Sequence, residues 1–316
     1  MRCGILADDL TGACDAGVQF ARHGLKTVVW LDDSALPDAD VVVLSTATRR
    51  DSPATAQAKV ARACERLAQT GHELIYKKID STLRGNVAAE IEACGAVEAW
   101  VTPAYPALGR QFIHGQLFIK GAPQRVRLES QPGLRVFDAV TQEDLEAVAR
   151  HAFAEPQRPL LAGSAGLAIE VAKALGCPEA RDPAILGRRG PAVLYIGSTH
   201  AATVAQVASL RGSRDPHTYR IVPVRSLDGE VGPPVARYQA RDAAGLIVTG
   251  GDTAALVCRV LKVRGIRLIR EILPGIPYGR LLGGRFDGVP VITKAGGFGA
   301  ENTLSVLVDA LRGGLR

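Results

Sequence analysis

The chain opens on Arg2-Cys3-Gly4-Ile5-Leu6-Ala7-Asp8-Asp9-Leu10-Thr11-Gly12-Ala13-Cys14-Asp15-Ala16-Gly17, and this stretch decides the fold. Cys3 to Ala7 is a short apolar run of the kind that forms a central parallel strand, buried on both faces. A polar turn follows, then a helix running to about His23. Asp9 or Thr11 can cap that helix, and Gly12 lets backbone approach closely. Ligands of open α/β sheets sit just beyond the carboxyl ends of the strands. That rule puts Asp8 and Asp9 at the mouth of a crevice. They read either as one capping and one solvated carboxylate, or as a hydroxyl-binding, proton-accepting pair.

Outward from this turn, strands are expected over Thr27–Leu31 and Val41–Ser45. A helix follows over Pro53–Ala68, with proline in its first turn. Next comes Glu73-Leu74-Ile75-Tyr76-Lys77-Lys78-Ile79-Asp80-Ser81-Thr82-Leu83-Arg84-Gly85-Asn86. It reads as a strand ending in a polar turn, with Ser81 or Thr82 capping a helix to about Cys94. Only eight residues of the chain are lysine, yet two stand together here. Lys78, Asp80 and Arg84 can meet at the strand's end. Arginine pairs bidentately with carboxylate or phosphate, and a helix start adds N–H donors. A surface salt-bridge cluster is the plainer reading. A strand over Ala99–Thr102 leads into a proline-fixed loop, Pro103 to Arg110, and Gly115 marks a hairpin turn. Arg110 and His114 could face the crevice; a lone histidine there reads as structural. A strand over Leu134–Phe137, a helix from Gln142, a strand over Pro159–Ala162 and a helix opened by Gly163-Ser164 complete this half. Such alternation implies a mostly parallel, doubly wound sheet.

The 316 residues suit one large or two medium domains, and 47% hydrophobic content allows substantial cores. There is no apolar run long enough for a membrane span and no basic-then-apolar leader. The six cysteines form no CxxC pair, which fits reduced thiols of a cytoplasmic protein better than a disulfide frame or zinc site. The net charge of +6 is dispersed, and aromatic content is 5%. A small anionic substrate or a nucleotide accounts for that charge more simply than a nucleic acid does.

Pro178, Pro183 and Gly187 mark residues 177–190 as a linker, between a domain over 1–176 and another over 191–316. The second domain holds three similar turns. Gly197-Ser198-Thr199-His200 follows a strand from Ala192, and Gly250-Gly251-Asp252-Thr253 follows a strand from Gly245. Lys294-Ala295-Gly296-Gly297-Phe298-Gly299 follows a strand from Val289. Each joins a buried strand to a helix N-terminus through residues of little bulk. Exposed N–H groups and the helix dipole there favour phosphate. Neither a P-loop nor GxGxxG is present, so the common ATPase and dinucleotide fingerprints do not apply. Lys294 could balance phosphate charge. The segment from Arg270 to Gly284 could cover a base or ribose, or simply close the sheet.

Together these stretches resemble the four-carbon acid sugar kinase family. The resemblance rests on Ala7 to Gly12, Lys77 to Asn86, Pro103 to Arg110, Gly163 to Leu167, Gly197-Ser198, Gly250 to Thr253 and Lys294 to Gly299. They keep the family's order over nearly the whole chain; Lys77 to Asn86 is the most specific. The resemblance implies an α/β protein of two domains, each a mostly parallel sheet flanked by helices, with a cleft between them. It implies a cytoplasmic enzyme that phosphorylates a tetronate with ATP and Mg²⁺, and it allows a homodimer. The acid sugar would be bound by Asp8, Asp9, Lys78, Asp80, Ser81, Arg84 and Asn86, with Asp9, Asp80 and Arg84 catalytic. The nucleotide would be bound by Ser198, Gly250, Gly251, Asp252, Thr253, Gly296 and Gly297. The chain departs from the family pattern in a shortened stretch after Ile119, in Asp252 where Glu is usual, and in Ala295-Gly296-Gly297 where Ser-Gly-Asn is usual. A nicotinamide-dependent oxidoreductase and a non-catalytic sugar-acid sensor are the rival readings; the absent GxGxxG counts against the first.

Overall fold

A computed structural model describes residues 2–175, 183–185, 187–224 and 242–314. Half of the segment expected as a linker, 177–182 and 186, lies outside the described residues. The chain divides into two compact units, one of Met1–Val29 with Ala35–Ala180, the other of Trp30–Ser34 with Arg181–Arg316.

In the first unit β1 (Arg2–Ala7) leads to α1 (Leu10–Arg22). Then come β2 (Thr27–Trp30), whose last residue belongs to the other unit, β3 (Val41–Ser45), α2 (Pro53–Ala68), β4 (His72–Lys78) and α3 (Val87–Glu92). The chain continues through β5 (Ala99–Thr102), β6 (Arg110–Ile113), β7 (Gln116–Ile119), β8 (Ala122–Arg127) and β9 (Leu134–Val136). The unit ends with α4 (Gln142–Ala154), β10 (Leu160–Gly163) and α5 (Ala165–Ala174). The strand order is β2-β3-β1-β4-β10-β5-β9, and every pairing from β3 to β9 is parallel. Cys3 to Ala7 are all buried, as a strand covered on both faces requires. Gly4 is needed there, because a Cβ would lie 2.7 Å from Leu67 of α2. The hairpin turn at His114-Gly115 joins β6 to β7, and both residues have positive φ (48° and 74°), as a two-residue turn needs. β6, β7 and β8 make a small antiparallel sheet of their own.

Register fixes where the strand ends fall. Ala7 stands beside Ser45 of β3 and Lys78 of β4; Lys78 stands beside Gly163 of β10, and Gly163 beside Thr102 of β5. Five strands therefore release their turns along one edge. One expectation fails here. No helix starts at Ser81 or Thr82; α3 begins only at Val87, with Asn86 at its N-cap. Leu83 (φ 59°) and Gly85 (φ 90°) are left-handed, which breaks helix continuity, and the Asp80 carboxylate instead accepts the Thr82 N–H at 2.8 Å.

The second unit contains β11 (Ala192–Ile196), α6 (Ala201–Ser213), β12 (Tyr219–Pro223), β13 (Gly245–Thr249), α7 (Gly251–Val260), β14 (Gly265–Leu273), β15 (Ile276–Leu282), β16 (Pro290–Lys294) and α8 (Thr303–Gly313). Its order is β12-β11-β13-β16-β15-β14, parallel as far as β16 and antiparallel beyond it. The segment from Arg270 to Gly284 thus lies within the sheet as most of a hairpin, turned by Pro274 and Gly275 (φ 76°). Leu194, Ile247, Ile292, Leu304, Leu307 and Val308 form the centre of this unit's core. Ile196 stands beside Thr249, and Thr249 beside Lys294, so the three glycine turns also leave from one edge.

Candidate functional site

In the first unit, Asp9 caps α1. Its Oδ1 accepts the Gly12 N–H at 2.7 Å and its Oδ2 accepts the Thr11 hydroxyl at 3.0 Å. A Cβ on Gly12 would stand 2.6 Å from Asp9 Oδ1, so glycine is what lets the cap close. Asp8, one residue earlier, is equally buried. Across β4, Asp80 holds its own turn and receives Arg84, whose Nη2 donates at 2.6 Å and whose Nε donates at 3.2 Å. Sequence reading thus assigned Asp8, Asp9, Asp80 and Arg84 to the right edge of the sheet, but it missed the group that ties them together.

That group is Arg49, in the loop after β3. Its Nε and Nη2 grip both oxygens of Asp8 at 2.6 and 2.8 Å, and its Nη1 reaches Asp9 Oδ2 at 2.6 Å. Nη2 also lies 3.3 Å from Asp80 Oδ2. One guanidinium thereby bridges three carboxylates from two turns. A signal was present: Thr48-Arg49-Arg50 follows the end of a predicted strand, where the same crevice rule applies.

Electrostatics separates the three acids. Burial, reinforced by the neighbouring Asp8 charge, pushes the Asp9 carboxyl above its ordinary value, against the opposing pull of Arg49 and Lys78. Burial pushes Asp80 the same way, but its hydrogen bond from Arg84 and the Arg49 charge outweigh it, and the carboxyl sits well below the usual range. Burial also works against the charge on Arg49; Asp9 and Asp8 outweigh it and hold the proton more firmly than on an ordinary arginine.

The other expected residues divide. Lys78 Nζ, buried near Gly12, donates one hydrogen bond, to the Ile79 carbonyl at 2.7 Å. Ser81 Oγ accepts from Arg110 Nη1, so Arg110 joins this edge, whereas the His114 side chain is 91% exposed beside Asp138. Asn86 does not offer its amide nitrogen to the edge: Nδ2 donates to the Thr48 and Asp51 carbonyls at 3.1 and 2.9 Å. Lys77 is fully buried and paired with Glu90 at 2.7 Å.

In the second unit the glycine turns touch one another. A Cβ on Gly197 would sit on the Thr253 hydroxyl, and one on Gly296 would sit on the Ser198 hydroxyl. One on Gly297 would be 3.1 Å from His200 Nε2. The absence of side chains at these places thus lets turns 197–200, 250–253 and 295–299 pack together. Gly250 (φ 94°) stands at the N-cap of α7 and makes no side-chain cap bond; Gly251, Asp252 and Thr253 form the first turn that follows. Lys294 turns onto carbonyls of its own turn. It is wholly buried, its Nζ donates to the carbonyls of Ala295, Gly296 and Phe298 at 3.0, 3.3 and 3.1 Å, and burial pulls its pKa down to about 8. It holds the 295–299 turn in shape, as do Thr203 and Gln206 through the Gly296, Phe298 and Ala300 carbonyls.

Among the described residues no group of three His, Cys, Asp or Glu side chains is placed to hold a metal ion. The three clustered aspartates direct their oxygens at Arg49 and Arg84. No helix of the described residues is long and apolar enough to cross a membrane.

Comparison with known proteins follows the same division. A family model described as a sugar-binding N-terminal domain matches residues 3–135, and one described as a nucleotide-binding C-terminal domain matches residues 232–304. The chain is 31% identical to a D-threonate kinase of Bordetella bronchiseptica, over 98% of this chain and 97% of that protein. It is 24% identical to a D-erythronate kinase of Heliobacterium modesticaldum, over 97% and 96%. The first alignment spans 403 positions against the 316 residues here, so that relative carries stretches this chain lacks. A solved chain from Salmonella typhimurium, provisionally described as a tRNA synthase, superposes with a TM-score of 0.75 at 20% identity, covering 97% and 98% of the two chains. That likeness speaks for the fold alone. A Bordetella bronchiseptica structure, a domain-swapped dimer with bound citrate, matches at 28% identity and a TM-score of 0.50, covering 99% of each chain.

Proposed function

This chain belongs to the four-carbon acid sugar kinase family, and from that premise we propose that it transfers the γ-phosphoryl group of ATP to a hydroxyl of a tetronate. It is a kinase acting on four-carbon sugar acids. The observation that carries the finer reading is the single edge of the first unit where Asp8, Asp9 and Asp80 surround Arg49, with Lys78 and Arg84 beside them. Phosphoryl transfer needs positioning and charge neutralisation more than covalent catalysis. A small polyol acid needs hydroxyl acceptors and a cation for its carboxylate, and this edge has both.

Asp9 is the best-suited base of the three. Arg49 donates twice to Asp8 but only once to Asp9, and Asp80 is held acidic by Arg84 and Arg49. Asp9 retains a raised proton affinity beside a guanidinium that can steady the charge. Lys78 has ammonium hydrogens beyond its bond to Ile79, and the Arg84 side chain is 63% exposed; these two would hold the sugar carboxylate. Ser81 would serve a hydroxyl, and Asn86 would shape the edge from behind.

ATP is assigned to the second unit, whose matching model is described as nucleotide-binding. The N-terminus of α7, without a side-chain cap behind Gly250, fits the phosphates, and the packed glycine turns around it hold that terminus in place. Mg²⁺ would arrive on those phosphates, supplying charge neutralisation; no described residue is assigned to it. A homodimer is proposed from the dimeric Bordetella bronchiseptica relative.

A coupled assay of the purified protein with ATP and a panel of tetronates tests the reading. Turnover on at least one is expected. Absence of turnover on every acid sugar, together with no ATP binding by calorimetry, overturns it.

A further inference from the structure

The buried side chains behind the edge contain a relay that the chemistry above does not use. Lys77 is fully buried in β4, and its Nζ meets Glu90 Oε2 at 2.7 Å and the Lys78 carbonyl at 3.0 Å. Glu90, buried on α3, turns its other oxygen, Oε1, to the Thr48 hydroxyl at 2.8 Å. Thr48 is wholly buried and held at every polar group. Its N–H donates to the Asp8 carbonyl at 3.1 Å, its carbonyl accepts from Asn86, and its hydroxyl also meets Thr46 at 2.8 Å. The next residue is Arg49. A buried ion pair is weak evidence for stability, because two well-packed apolar residues often serve as well. It is better evidence that something is being held in register.

We propose that Glu90 is a positioning residue of this kinase: through Thr48 it fixes the Arg49 loop, and so sets how closely the Arg49 guanidinium approaches Asp9. The inference rests on the reading of this edge as the acid-sugar site, with Asp9 as base. The charged groups facing Asp9 are Asp8 from its own turn, Arg49 from the β3–α2 loop and Lys78 from the end of β4; Asp80 and Arg84 stand behind Arg49. Of these, Arg49 is the one the relay holds. Loosening it weakens the charge that opposes the burial of Asp9, and the Asp9 proton becomes harder to remove.

The test is Thr48→Val, which keeps the shape and removes the hydroxyl, beside Thr48→Ser, which keeps the hydroxyl. In Thr48→Val the acid limb of kcat/KM for the tetronate is expected to move up by about one pH unit, with the KM for ATP unchanged. Thr48→Ser should restore the wild-type limb. Carboxyl 13C NMR titration should show the same upward move of Asp9 without any turnover, so this arm decides even if no acid sugar is phosphorylated. If Thr48→Val does not melt cooperatively, the double variant Lys77→Met with Glu90→Leu removes the acceptor while replacing both buried charges, and the same shift is expected. A lowered Tm with the acid limb and the Asp9 titration unmoved overturns the proposal and leaves Glu90 a purely structural part.

Discussion

At the scale of single residues, the edge works because three carboxylates share one guanidinium. Arg49→Met is expected to lower tetronate phosphorylation by about 10²-fold or more and to leave ATP binding by calorimetry unchanged. Asp9→Asn should lower kcat by about 10²- to 10⁴-fold, the range for a lost general base. In the wild type, activity should fall with acid as Asp9 takes up its proton, and its raised affinity places that limb above about pH 4, where an ordinary aspartate titrates. Asp80 has the opposite sign. Its folded value is depressed, so its contribution to stability is complete above about pH 5 and is lost as the pH falls through 4 toward the folded value. Urea midpoints measured from pH 6 to 2.5 should fall steeply for the wild type and less steeply for Asp80→Asn. Asp8, Asp9, Asp80 and Arg84 were legible as a cluster because each lies within a few residues of a predicted strand end. Arg49 also follows a predicted strand end and was overlooked; that it pairs with Asp8 and Asp9, about forty residues away in sequence, shows only through strand register.

At the scale of elements, glycines act by permitting contact. Sequence alone suggested bare turns open to phosphate; the structure fills the missing side-chain volumes with hydroxyls of the neighbouring turns. Gly250 adds a conformational demand, with φ 94° at the start of α7. Gly250→Ala is expected to cost about 1–2 kcal/mol, seen as a lower Tm, and to weaken ATP binding as the α7 N-terminus shifts. A Tm equal to wild type would show that this backbone conformation is not held in solution. The same logic explains the missing helix at Ser81. Capping residues were present, but Asp80 closed a local turn first, and Leu83 and Gly85 went left-handed. The β14–β15 hairpin escaped notice because Pro274 and Gly275 read as loop punctuation, although the same pair makes a tight turn between two strands.

At the scale of the whole molecule, the proposed division of labour predicts that each ligand marks its own unit. Hydrogen exchange should slow around residues 8–12, 46–51 and 78–86 with a tetronate, and around 197–200, 250–253 and 295–299 with ATP. Protection of both sets by either ligand alone would sink the division as stated. What the sequence by itself determined is local: buried parallel strands, polar turns at their carboxyl ends, helices after them, and two α/β halves. Apolar periodicity and turn chemistry are set by neighbours along the chain, so they can be read there. Tertiary structure alone decided which turns meet. Alignment of Ser45, Ala7 and Lys78 across three strands put Arg49 among the aspartates, and packing of the glycine turns turned Lys294 inward onto carbonyls. Those outcomes depend on distances between residues far apart in sequence, which hydrophobic pattern does not encode.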